Sequence, residues 1–150
     1  MDYKPWFELF GHTSEEPKVK KMLLSVGIKK IAMPEDEDDV RKDIPGMTLI
    51  FTDTEVLEDI EPVGKGSCML TGVVLQLSAK KDPYRGPLPL GIKASVSQAE
   101  MRKKFGKTVP SESEGDQWKV EKNLVMQATY TSGGKAIDAL LLSLPEAIVG

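Results

Sequence analysis

Few residues in this chain have a type and a spacing that suit catalysis. His12 is the single histidine and Cys68 is the single cysteine. A general base or a metal ligand needs supporting groups, and no second histidine, neighbouring cysteine or acid at ligand spacing accompanies His12 in the sequence. We therefore expect His12 to be a surface-loop histidine, and Cys68 to be a small buried residue that opens an apolar strand.

Motifs that bind cofactors or carry out hydrolysis are missing from the sequence. It contains no G-x-S-x-G elbow, phosphate-binding loop, H-E-x-x-H pair or dinucleotide fingerprint. We predict no catalytic residue, no metal ligand, no cofactor and no enzymatic activity. Trp6 and Trp118 are expected to be core anchors rather than binding platforms.

The strongest charge pattern is a run of five consecutive acids from Glu35 to Asp39. The run lies in a polar segment, residues 34–46, that we expect to be a loop. It lacks the alternating acids and the central glycine of a calcium-binding EF-hand loop. Two interpretations stay open: a solvated loop, which is the commonest fate of such a run, and a contact surface for a basic cleft.

A second group of acids lies between residues 55 and 61, in the loop before the predicted strand 68–78. This second group favours the interpretation of the acids as a contact surface. The predicted partner-binding residues are Glu35, Asp36, Glu37, Asp38, Asp39, Glu55, Glu58, Asp59 and Glu61.

The net charge of −3 is unevenly distributed along the chain. Residues 1–62 hold 15 acids and 8 Lys or Arg, a net of −7, whereas the remainder holds 8 acids and 12 Lys or Arg, a net of +4. This asymmetry indicates a surface patch with a partner. It argues against a nucleic-acid partner, which needs a basic stripe over the phosphates.

Length and composition indicate an ordinary globular protein. The 150 residues suggest a single domain, with halves at about 1–80 and 84–145. The first residues lack the basic region and apolar run of a signal peptide, and no apolar run approaches the length of a membrane span. We expect a cytoplasmic protein with no membrane partner, as a monomer or a homodimer.

Two helices have marked ends. Ser97 and Glu100 form a capping box for a helix over 98–105, Val96 and Met101 suit a hydrophobic staple, and Gly106 ends the helix. An earlier helix is predicted over 15–26, with Ser14 as N-cap and Gly27 at its end. A further helical turn or two is expected over 5–10.

Strands are predicted on both sides of the later helix. They cover residues 28–33, 47–52, 68–78, 115–122, 124–131 and 136–144. Gly72 suggests a β-bulge, and residues 132–135 suggest a hairpin turn with glycines at positive φ.

The two halves share an order of capped helix, glycine, polar loop and strands. The helix-ending glycines Gly27 and Gly106 are 79 residues apart. One helix and about three strands cannot bury a sheet face alone, so we expect the halves to pair. The predicted fold is α+β: two helix-plus-antiparallel-strand repeats form a shared sheet with helices packed on one face, and the other face is open to a partner.

Motifs in both halves resemble those of small bacterial immunity proteins that are encoded beside polymorphic toxins. The second half carries YRGPLPLGI, a capped helix ending KFGK, D-x-W, LVMQATY and a Gly-Gly hairpin. The first half carries WFELFG, EPKVKKMLLSVG, GMTLIFTD and LTGVVL. The resemblance runs from about Trp6 to Leu144 and implies a cognate toxin as partner. Because targets vary among immunity proteins, it implies no toxin class and no contact residue.

The helix-then-strands half is also similar to the repeat of β-lactamase inhibitory proteins and of the small lipoprotein of outer-membrane barrel assembly. That likeness implies only the fold. We expect an immunity protein that binds a toxin domain and occludes its active site, such as the basic cleft of a nuclease facing the acidic loops. The alternative is a non-inhibitory interaction or scaffold module that uses the open sheet face.

Overall fold

The computed structural model describes residues 2–57, 60–108, 115–120 and 124–144. Within these residues, the α-helices are α1 (Lys4–Phe7), α2 (Pro17–Ser25) and α3 (Gln98–Phe105), and the strands are β1 (Asp39–Ile44), β2 (Met47–Asp53), β3 (Cys68–Gln76), β4 (Asp116–Val120), β5 (Leu124–Tyr130) and β6 (Ile137–Ser143). Short 3₁₀ turns cover Pro89–Gly91 and Ser132–Gly134. None of the described helices has the length and apolar character needed to cross a bilayer.

The six strands form one antiparallel sheet in the order β1-β2-β3-β6-β5-β4. Strands β1–β3 are a meander from the first half and β4–β6 are a meander from the second. The halves meet where β3 pairs with β6, from Gly72 opposite Ser143 to Gln76 opposite Ala139. The expected α+β class and shared sheet are confirmed, while the duplication of the halves stays a prediction.

The helices lie on one face of the sheet, as predicted. Trp6 of α1, Val19 and Leu23 of α2, and Met101 of α3 belong to one buried core cluster. The same cluster takes alternate residues of the strands, because successive side chains of a strand point to opposite faces. These strand residues are Ile44, Met47, Leu49, Phe51, Cys68, Leu70, Val73, Leu75, Trp118, Met126, Ala128, Ile137, Leu140 and Leu142.

Helix α2 begins at Pro17, two residues later than predicted. The prediction of Ser14 as N-cap is wrong: Glu16 occupies that position, and its side chain accepts a hydrogen bond from the Val19 amide. Ser14 is instead drawn into the sheet, where its amide donates to the Cys68 carbonyl at 3.0 Å. Gly27 follows the helix with φ of 82°, as its predicted role requires.

Helix α3 is as predicted. The Ser97 side chain accepts from the Glu100 amide, and the Glu100 side chain accepts from the Ser97 amide, so the capping box is complete. Gly106 ends the helix with its amide donating to the Arg102 carbonyl at 2.8 Å. The indole of Trp118 donates to the Gly106 carbonyl at 3.0 Å, which ties the helix end to β4. Trp118 is a core residue, as expected.

The segment over 28–46 departs from prediction. Residues 28–33 form no strand, and the expected loop over 34–46 contains β1. In β1, Val40, Lys42 and Ile44 face the core while Asp39, Arg41 and Asp43 face the other side, a period of two that the high charge disguised. Charged residues are tolerated there because β1 is an edge strand, where charges block pairing with another chain.

Irregularities in the sheet lie near the positions that the glycines indicate. The pairing of β2 with β3 shifts between Ile50 opposite Gly72 and Phe51 opposite Leu70, so Thr71 is the extra residue of a bulge. A Cβ added at Gly72 would lie 3.2 Å from the Leu142 carbonyl oxygen, so a side chain there would crowd β6.

Candidate functional site

The predicted acidic loops meet at one end of the sheet. At this end β1 begins, β2 ends and β3 begins, with Asp39 opposite Thr52 and Asp53 opposite Cys68. The Asp53 amide donates to the Asp38 carbonyl at 2.8 Å, which joins the two acidic segments directly. The antiparallel register of the strands therefore gathers carboxylates that are distant in sequence.

We call this region the acidic end and define it as residues 35–39 together with Asp53 and Glu55. Glu35, Asp36, Glu37, Asp38 and Glu55 are exposed, whereas Asp39 and Asp53 are half-buried. Among the described residues, no Lys or Arg forms an ion pair with any of these seven carboxylates. Their combined charge is −7, and within the described residues none of it is neutralised by an ion pair.

The loop after β2 is held by its own side chain. Asp53 accepts a hydrogen bond from the Glu55 amide at 2.9 Å, which closes a turn. The Thr54 amide donates to the Ser67 carbonyl at 3.0 Å, so the loop is also fixed to the residue before β3. Glu55 is thereby presented from a defined turn.

The remaining predicted partner-binding residues lie further along this loop. Glu61 is exposed, and the nearby Val63 is held to the N-terminal segment, its amide donating to the Gly11 carbonyl at 2.9 Å. Glu58 and Asp59 lie outside the described residues.

Sequence reasoning missed Asp53, which belongs to the acidic end, and Glu15, which lies outside it beside Gly66. Asp53 directly follows a predicted strand and was a visible candidate. Glu15 had no such signal: it comes close because the segment 12–14 lies along β3, which places its side chain beside Gly66. Glu15 also forms an ion pair with Lys20 at 2.9 Å, so its charge is neutralised locally.

His12 has an acidic neighbour, Glu16, that was not predicted from the sequence. Its Nδ1 lies 3.3 Å from Glu16 Oε2, and both side chains are largely covered. Burial raises the pKa of Glu16, but hydrogen bonds from the Lys18 and Val19 amides and from His12 outweigh it and lower that pKa overall. Glu16, held by His12, caps α2. No group of three or more potential metal ligands occurs among the described residues.

Cys68 is buried, as predicted. Its Sγ lies 3.4 Å from Ser14 Oγ, and burial raises the pKa of the thiol. A thiol with a raised pKa and no access to solvent is a poor nucleophile.

A hydrogen-bonded cluster around one carboxylate, Asp116, lies between α3 and β4, and the sequence did not reveal it. Asp116 accepts hydrogen bonds from Arg102 Nε at 3.0 Å and Nη2 at 2.9 Å, from the Tyr130 hydroxyl at 2.9 Å, and from Gln98 Nε2 at 3.5 Å. Only 3% of the Asp116 side chain is exposed. The cluster fastens α3 to the sheet.

Burial and hydrogen bonding act in opposite directions on Asp116. Burial raises the pKa of the carboxyl group, but hydrogen bonds from Arg102 and Tyr130 and the charge of Arg102 lower it overall. Burial and the adjacent carboxylate raise the pKa of Tyr130, so its hydroxyl stays protonated and keeps donating. Because Asp116 is buried and already accepts four hydrogen bonds, it is poorly placed to bind a ligand.

Cavities lined by described residues lie elsewhere. A polar cavity of about 440 Å³ is lined by Pro45, Gly46, Lys80, Asp82, Pro83, Tyr84 and Arg85. An apolar cavity of about 300 Å³ is lined by Tyr3, Phe7, Pro89, Leu90, Val120, Leu124 and Leu142. Neither lining includes a residue of the acidic end or Asp116.

The sheet face opposite the helices is less open than predicted. Its central side chains are almost fully covered, with Ile50 at 5% exposure and Val74 at 8%. Polar groups on this face bond to one another: Gln76 Nε2 donates to Thr48 Oγ1 at 3.3 Å, and Thr48 Oγ1 donates to Asp43 Oδ1 at 2.7 Å. The face therefore offers little bare apolar surface near its centre.

Comparison with known proteins gives no relative: no family model, no curated protein and no solved structure matches this chain. The resemblance to immunity proteins stays a prediction, and function must be argued from the surface of the protein itself.

Proposed function

We propose that this protein is an immunity protein that binds a cognate bacterial toxin domain and blocks its active site. The observation that carries the proposal is the meeting of the two acidic segments at one end of the sheet, where seven carboxylates form no ion pair with any described Lys or Arg. A nuclease cleft is lined with cations that bind phosphate, so it is the complementary surface. The protein would act in the cytoplasm, where such a toxin meets nucleic acid.

Inhibition by this surface needs no catalytic group. Carboxylates that face a basic cleft attract it at long range and raise the association rate, and the bound protein then excludes substrate by occupying its place. The turns that hold Glu55 and Asp53 supply a rigid base for part of the surface, which lowers the entropy lost on binding. The loop on 35–38 supplies the most exposed charge.

Co-expression with the toxin encoded by the adjacent gene tests the proposal. We expect a stable complex in pull-down and restored growth. Replacing Asp36 and Asp38 with Lys should lower the association rate about tenfold or more at low salt, because both charges face the cleft. A matched control replaces Asp43 and Asp82 with Lys, since these exposed acids lie at the opposite end of β1 and beside the Pro45–Gly46 turn.

The outcomes separate the two functional hypotheses. No complex and no rescue would reject the immunity function. If the toxin binds equally well to the Asp36→Lys, Asp38→Lys variant and to the Asp43→Lys, Asp82→Lys variant, the immunity function stands but the acidic end is not part of the interface. A scaffold interface on the sheet would also resist high salt, whereas the proposed interface should weaken as salt screens its charges.

A further inference from the structure

The charge of this protein is separated by layer more strongly than by sequence half. The helix layer, defined as residues 15–30 and 93–107, contains α2, α3 and their flanking residues. It holds ten Lys or Arg and three acids, a net of +7, while all other residues hold ten Lys or Arg and twenty acids, a net of −10. Since both helices pack on the same face of the sheet, the cations that α2 and α3 carry lie on one side of the molecule.

The cations of the helix layer are available to a ligand. All ten are exposed: Lys18, Lys20, Lys21, Lys29, Lys30, Lys93, Arg102, Lys103, Lys104 and Lys107. Lys20 pairs with Glu15 and Arg102 with Asp116. Within the described part of the chain, the other eight lysines form no ion pair.

The acids of the helix layer leave these eight lysines unneutralised. Glu15 is paired with Lys20 at 2.9 Å. Glu16 is occupied by His12 and by the first turn of α2. Glu100 is held in the capping box with Ser97. Each carboxylate is thus engaged locally.

We propose that the helix layer binds the phosphate backbone of double-stranded nucleic acid without sequence preference. Lysine is a common point-charge partner of phosphate, so a lysine-dominated face is complementary in charge to a phosphate backbone. A six-stranded sheet is about 24 Å wide, so a face of this size can cover phosphates over several base pairs.

Duplex is favoured over single strands because the layer lacks an exposed stacking platform. Proteins that bind single strands stack bases on aromatic side chains. Phe105 of α3 is half-buried and packs against Trp118 with ring centroids 5.7 Å apart. The charge count by halves predicted no nucleic-acid partner; the layered arrangement of the lysines gives the opposite expectation, and it goes beyond the proposed toxin inhibition.

Fluorescence anisotropy with a labelled 24-base-pair DNA duplex tests this proposal on the purified protein alone. If about four phosphates are contacted, the logarithm of affinity should fall with the logarithm of salt with a slope of about −3.6, which is roughly a 100-fold loss between 50 and 200 mM NaCl. The variant Lys18→Gln, Lys21→Gln, Lys103→Gln, Lys104→Gln should lose most of the affinity and most of the slope.

A second variant matches the first in net charge. It carries Lys65→Gln, Lys80→Gln, Lys81→Gln and Lys135→Gln, all at exposed positions outside the helix layer, and it should keep affinity within about threefold of wild type. Equal losses in the two variants would overturn the proposal in favour of net charge alone. Absence of saturable duplex binding at 50 mM NaCl, or tighter binding to phosphatidylglycerol vesicles than to duplex, would also overturn it.

Discussion

Two sets of carboxylates in this protein have opposite surroundings. Asp116 is covered and receives hydrogen bonds from Arg102, Tyr130 and Gln98. The acidic end presents seven carboxylates, five of them exposed, without a described cationic partner. Asp116 thus stabilises the fold, while the exposed carboxylates of the acidic end are accessible to a binding partner.

The contrast teaches how to separate structural acids from candidate binding acids. A buried carboxylate is retained only where donors compensate for its lost hydration, so removing it damages the fold. Exposed like charges do little for the fold and repel one another, so their presence needs another reason.

The largest effect is expected at Asp116. Replacing it with Ala leaves the Tyr130 hydroxyl and the Arg102 guanidinium without their acceptor. Arg102 is about half exposed and can be rehydrated, so we expect a loss of about 2–3 kcal/mol in the free energy of unfolding rather than the full value for a buried pair. Thermal unfolding followed by circular dichroism should show a Tm lower by about 4–10 °C.

Asp38→Ala is the matched change at the acidic end. It should alter the free energy of unfolding by less than about 0.5 kcal/mol, because its side chain is exposed and unpaired. Similar losses for the two variants would mean that the acidic end is also structural, and the comparison between the two sets would then fail.

A smaller effect on the free energy of unfolding is expected when the pH is lowered. The folded-state pKa of Asp116 lies below that of an unfolded Asp, so its network contributes fully above about pH 4 and is lost as pH falls through the folded pKa. The stability difference between wild type and Asp116→Asn should therefore shrink between pH 5 and pH 2. Urea unfolding across this range measures it; a difference that stays constant would show that the charge of Asp116 is not what stabilises the network.

The sequence predicted those features that local rules govern. The capping box of Ser97 and Glu100 and the apolar runs of β2 and β3 needed no knowledge of distant contacts. The strand β1 was missed because its charges disguised a period of two, and Ser14 was misassigned because its pairing with Cys68 spans 54 residues.

The candidate site was only partly predictable for the same reason. The run Glu35 to Asp39 is visible in the sequence, but its meeting with Asp53 depends on the register of β1 against β2. The Asp116 cluster joins residues of α3, β4 and β5 that carry no shared motif. The positive helix layer was hidden because a count by halves mixes the lysines of α2 with the acids of the loops that follow it.

A small gain in stability is expected when several charges of the acidic end are removed together. The change Asp36→Asn, Asp38→Asn, Asp39→Asn should raise the free energy of unfolding by about 0.5 kcal/mol at 20 mM NaCl, because it relieves repulsion among unpaired carboxylates. The gain should vanish at 500 mM NaCl, where the Debye length is only a few ångströms. The control Asp43→Asn, Asp82→Asn should change little at either salt concentration. If the triple variant instead loses stability, these acids support the fold and their exposure says nothing about a partner. If it gains stability while losing affinity for the toxin, the acidic end is maintained for binding at a cost in stability.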